Sequence, residues 1–65
     1  MLRLDPKKIE IARARAGINI TNLAKAYGVS RARMNVILNS IRVTPECVGR
    51  LARALQVDVT DLIEE

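Results

Sequence analysis

The sequence predicts an all-α domain, a compact bundle of five short helices. Three observations lead there. Helix-ending and helix-starting residues punctuate the chain at short intervals: Asp5-Pro6, Gly17, Gly28, Asn39-Ser40, Thr44-Pro45 and Gln56 to Asp58. Between these marks the apolar residues recur at helical rather than alternating spacing. With 65 residues and one aromatic, Tyr27, the core has to be built from Leu, Ile, Val, Ala and Met. A chain this short has a marginal core and folds by packing neighbouring helices.

The first helix is predicted over residues 6–16. Asp5 can cap it, Pro6 suits its first position, and Gly17 suits its end. Ile9, Ala12, Arg13 and Ala16 share one face. The second, over residues 20–27, follows the N-cap candidate Asn19 and turns Leu23 and Ala24 inward. The third, over residues 31–38, follows Ser30 and turns Met34 and Ile37 inward. The fourth, over residues 45–55, opens with Thr44-Pro45-Glu46, a cap, a first-position proline and a first-turn acid,. Its stripe is Val48, Leu51, Ala52 and Leu55. The fifth, over residues 59–64, follows Asp58 with Val59, Leu62 and Ile63 inward. No strong strand is predicted, although the opening "MLRL" alternates and can run extended, with Leu2 or Leu4 against the bundle.

Composition removes several function classes. There is one cysteine and no histidine, so neither an internal disulfide nor a Cys/His zinc cluster can form,. No base stands near Cys47 to activate it, and the carboxylates gather at one end, so no enzyme, metal or cofactor is expected. No apolar run approaches the roughly 18 residues of a membrane span. "MLRLDPKK" lacks a signal-peptide core, so a soluble cytoplasmic protein is expected,. The charge is more informative. Net charge is +4, yet no acid occurs from Ile11 to Pro45, where Arg13, Arg15, Lys25, Arg31, Arg33 and Arg42 fall. Asp58, Asp61, Glu64 and Glu65 close the chain with no base among them. A cationic body with an acidic end suits a polyanionic partner on one face.

The second and third helices carry the sharpest pattern. Ala24 is small enough for a crossing helix to approach. Gly28 can take the positive φ that ends a helix. Val29 fills the corner, Ser30 restarts the chain, and Met34 and Ile37 anchor the helix that follows. These positions, in register, have the spacing of a helix-turn-helix.

The stretch "GINITNLAKAYGVSRARMNVILNS" followed by "TPECVGRLARALQVDVTDLI" resembles the phage repressor and Cro class of helix-turn-helix proteins, often called Xre-type or lambda repressor-like. The resemblance runs from about residue 8 to residue 63. It implies a five-helix DNA-binding domain of a transcriptional regulator that binds paired half-sites as a homodimer. The chain departs from the family pattern at Ile20, where a Gln often opens the second helix. Leu38 stands where an acid usually pairs with the first-helix arginine, here Arg13. Gln56 replaces the usual Gly, and Gly49 falls inside the fourth helix.

A helical wheel at 100° per residue separates Met34, Ile37 and Leu38 from Arg31, Ala32, Asn35 and Asn39. The second set would enter a major groove. Arg31 can hold guanine O6 and N7, Asn35 can hold adenine N6 and N7, and Ala32 can touch a thymine methyl. Arg42, in the following loop, can reach base or phosphate. Arg33 points sideways, toward phosphate. Asn19, Thr21 and Asn22 at the start of the second helix, with Ser30, Asn39 and Ser40, are the other phosphate candidates. Capping by Asn19 and Ser30 is compatible with that role. Arg3, Lys7 and Lys8 read as a solvated tail rather than an arm toward DNA. Tyr27 reads as a wedge between helices and Cys47 as a packing residue. The partner expected is a double-stranded DNA operator. The alternative is an antitoxin-type or protein-interaction regulator on the same fold. A dimer would use the fifth helix and its neighbours, Val57, Val59, Leu62 and Ile63.

Overall fold

The computed structural model describes residues 2–40 and 42–64. Met1, Ile41 and Glu65 lie outside the described residues. Four α-helices are present among them: α1 (Pro6–Ala16), α2 (Ile20–Tyr27), α3 (Arg31–Leu38) and α4 (Pro45–Leu55). Two short strands, β1 (Leu2–Arg3) and β2 (Arg42–Val43), and a 3₁₀ turn at Val59–Asp61 complete the order.

Each helix opens on a side-chain cap, which satisfies amides that have no acceptor within the helix. Asp5 Oδ1 accepts from Lys7 N at 3.0 Å, and Asn19 Oδ1 accepts from Asn22 N at 2.7 Å. Ser30 Oγ accepts from Arg33 N and Thr44 Oγ1 from Cys47 N, both at 3.2 Å. The ends are equally local. Gly17 and Gly28 take the left-handed conformation, with φ of 63° and 100°. Gln56 does the same at φ 57°, in the place of the family's usual Gly.

The core gathers Leu23, Met34, Val48, Leu51, Leu55 and Leu62, with Leu4, Ile9 and Val43 beside them. All four stripe residues of α4 are buried. On α1 only Ile9 and Ala12 are buried, whereas Arg13 is half-buried and Ala16 exposed.

Three expectations are corrected. The fifth helix over residues 59–64 does not form, and the domain is all-α with four α-helices. Asp58 Oδ1 accepts from Thr60 N at 3.2 Å, and Asp61 Oδ2 accepts from Asp58 N at 3.3 Å. This reciprocal capping closes one 3₁₀ turn. Leu62 then leaves helical geometry at φ −121°. The backbone beyond it is used across the chain instead. Leu62 O accepts from Asp5 N, and Glu64 N donates to Arg3 O, both at 2.9 Å. Leu4 and Ile63 form an antiparallel bridge.

The second correction concerns strands. β1 pairs antiparallel with β2, with Leu2 opposite Val43 and Arg3 opposite Arg42. Arg42 therefore stands on a strand rather than in a loop. The alternation of the opening stretch explains the pairing: Leu4 is buried, Leu2 half-buried, and Arg3 between them exposed. Nor are Arg3 and Lys8 a solvated tail. Arg3 Nε lies 3.3 Å from Glu64 Oε2, and Lys8 Nζ donates to Thr60 O at 3.2 Å and Ile63 O at 3.0 Å.

Candidate nucleic-acid interface

The pair α2 and α3 is built around a three-residue turn, Gly28 to Ser30. Gly28 N and Val29 N both donate to Ala24 O, at 2.8 and 3.0 Å, which ends α2 sharply. Val29 is half-buried in the corner. Leu23 and Met34 are both 0% exposed and Ala24 is 2% exposed, so the two helices seat directly on each other. This fixes α3 about its own axis. Ile37 is buried with Met34 and Leu38 is half-buried, while Arg31, Ala32, Arg33, Asn35 and Val36 are exposed, as is the C-cap Asn39.

A second anchor sits behind this pair. Arg50 of α4 donates from Nη2 to Tyr27 O at 2.7 Å, and its guanidinium lies 4.3 Å from the centre of the Tyr27 ring. The carbonyl at the end of α2 thus receives a cation, where the helix dipole favours one. Tyr27 is buried and donates its hydroxyl to Cys47 Sγ at 3.3 Å. Burial, then the Cys47 hydrogen bond, hold its pKa above the ordinary tyrosine value, against the opposing pull of Arg50 and Arg33. Tyr27 does act as a wedge. The role of Arg50 was hidden in the sequence, because the contact crosses 23 positions.

The candidate residues divide by what their donors already do. Asn19 and Ser30 spend acceptor oxygens on caps, so the Asn19 amide NH₂ and the Ser30 hydroxyl proton remain as donors. The first amides of α2, on Ile20 and Thr21, precede the capped Asn22 N and have no acceptor within the helix,. Thr21 is half-buried and Asn22 exposed. Ile20 is half-buried against the core, so it adds a backbone amide here and no side-chain donor. Ser40 fits least well. Its Oγ donates to Val36 O at 2.8 Å and its amide to Ile37 O at 3.1 Å, so both donors are spent internally. Arg42 is exposed on β2, directly across from Arg3. No acid lies on α2, α3 or β2. Arg31 and Arg33 occupy the positive end of α3, where a cation is repelled by the helix itself.

Among the described residues, no group of three or more His, Cys, Asp or Glu could hold a metal ion. No helix among them is long and apolar enough to cross a membrane.

A family model described as a Cro/C1-type HTH DNA-binding domain matches residues 8–64. The chain belongs to this family. The match runs from within α1 through the 3₁₀ turn, so it covers α2, α3, β2 and α4 and leaves out β1. As a Cro/C1-type domain, the chain is a DNA-binding domain of the kind found in transcription regulators. Neither a curated protein nor a solved structure matches it significantly. One correction concerns a contact surface. Leu62, expected on a dimer face, is 0% exposed and belongs to the core. Ile63 is half-buried and bridged to Leu4, while Val57 and Val59 stay half-buried at the surface.

Proposed function

We propose that this Cro/C1-type domain binds double-stranded DNA sequence-specifically by laying α3 in the major groove, and that it represses transcription from a phage or mobile-element operator. The observation that carries the groove reading is the outward side of α3. It is exposed, free of acid, and held on a helix whose inner side is locked by Met34. Two arginines at the positive end of that helix are unfavourable alone. Facing phosphates or a guanine edge, they become favourable.

In this reading Arg31, Ala32, Asn35 and Arg42 meet base edges. Arg33, Asn19, Thr21, Asn22, Ser30 and Asn39 meet phosphates. Ser40 joins them only by giving up its bond to Val36. The repressor and mobile-element parts rest on the resemblance to phage repressors.

We also propose that the protein acts as a homodimer, placing two α3 helices about one DNA turn, roughly 34–36 Å, apart. The surface that supports this is a hollow where Ile11, 53% exposed, lies with Val57, Arg15 and Asp61. Across a two-fold axis the same patch offers apolar area and both charge signs to itself.

The test is site selection from random duplex DNA, followed by a gel shift of Arg31→Ala on the selected site. A bidentate guanine contact predicts a loss of about 1–3 kcal/mol and relaxed preference at one position. Unchanged affinity removes Arg31 from the groove. If no sequence is selected at all, a protein-interaction regulator on this fold is the correct reading.

A further inference from the structure

Val36 is 55% exposed, on a helix that buries its other large apolar residues wholly or partly. Its place on α3 is informative. With Arg31 at zero and 100° per residue, Met34, Ile37 and Leu38 centre on a direction of about 290°. The opposite direction, about 110°, is the middle of the outward side. Ala32 at about 100°, Asn39 at about 80° and Val36 at about 140° lie nearest to it. Arg31 and Arg33 lie toward the two edges. The middle of the outward side is therefore largely apolar, and the arginines flank it.

We infer that Val36, with Ala32, forms a methyl-reading stripe that selects thymine over cytosine at the centre of each half-site. The inference rests on the proposed seating of α3 in the groove. The major-groove edge of thymine carries a 5-methyl group, whereas cytosine presents an amino donor that needs an acceptor. α3 carries no carboxylate to accept from it. A valine placed over cytosine would strip water from that amino group and return nothing. Placed over thymine, it covers a methyl with methyls. Val also has essentially one rotamer in a helix, so fixing it in the groove loses little side-chain freedom.

The test uses the full chain and a site selected from random DNA. Each thymine of that site is replaced in turn by deoxyuridine, which removes only the methyl group. At one thymine per half-site, the wild type should weaken about fourfold, the value of one buried methyl. Val36→Ala should show a smaller difference between the thymine and deoxyuridine forms at that position, keeping only what Ala32 and the remaining methyl supply. Val36 is exposed and Ala is a better helix former, so this variant keeps the fold,. A wild type that selects a site but is indifferent to every deoxyuridine replacement overturns this inference and leaves the groove reading standing. So does a Val36→Ala variant that retains the full methyl dependence at every thymine. A protein that selects no DNA sequence overturns the groove reading and this inference together.

Discussion

Gln56 sits at φ 57°, ψ 44°, a conformation that costs a residue with a Cβ about 1–2 kcal/mol,. Gln56→Gly should raise stability by up to about 1 kcal/mol, since Gly relieves the strain but gains freedom when unfolded. The urea midpoint reads this directly. Gly28 argues the opposite way. At φ 100° a Cβ is strained, and it would stand 3.4 Å from Arg50 Nη2. Gly28→Ala should therefore destabilise by about 1–2 kcal/mol, by the same steric term. Tyr27 gives a pH prediction with a definite sign. Its folded pKa is raised, by burial first and by the Cys47 hydrogen bond second. The neutral phenol therefore stabilises the fold fully below the ordinary tyrosine value of about 10, and that contribution disappears as pH rises through the higher folded value. Tyr27 is the only tyrosine and there is no tryptophan, so a tyrosinate absorbance titration follows it alone. The midpoint should lie above that of the urea-unfolded chain. Tyr27→Phe should lessen the alkaline loss of stability.

At the scale of elements, α4 contains a clear flaw. Gly49 lies in its interior, and a Cβ there would meet nothing within 4 Å. Gly49→Ala should stabilise the domain by about 0.5–1 kcal/mol without moving a neighbour. A thermal melt checks it. The helices were legible because their signals are local: a cap, a first-position proline, a left-handed stop and an apolar stripe all fall within one segment. The missing fifth helix shows the limit. Val59, Leu62 and Ile63 have helical spacing, yet Asp58 and Asp61 close a single turn on each other, and the next amide, Glu64 N, goes to Arg3 O. That acceptor lies at the other end of the chain, where no local pattern points. The extended opening was legible in the alternation of Leu2, Arg3 and Leu4, but its partner was not, since β2 has only two residues and lies some forty positions away,. The candidate interface was partly legible. Wheel geometry turned Arg31, Ala32 and Asn35 outward, and the structure leaves them exposed. The bond from the Ser40 hydroxyl to Val36 O was not legible, because it depends on how α3 ends.

For the whole molecule, the separation of charge predicts a steep salt dependence of DNA binding, because phosphate contacts release counterions. Arg33→Ala should weaken binding to all sequences alike and lower the salt slope by about one. Gel shifts at several salt concentrations separate it from Arg31→Ala, whose loss should depend on sequence. If the hollow around Ile11 is the proposed dimer face, Ile11→Asp should yield a monomer by sedimentation. A wild type that sediments as a monomer both free and on DNA would remove the dimer. The tie between the two ends has a consequence for synthesis. Asp5 N binds Leu62 O, Glu64 N binds Arg3 O, and Leu4 bridges Ile63. A ribosome releases Leu4 long before its partners exist. On a nascent chain stalled before Asp58, α2 and α3 are already contiguous and complete, while the first strand and α1 lack the turn that closes over them. The contacts of Arg3, Leu4 and Asp5 with residues 62–64 should thus be the last part to become resistant to protease.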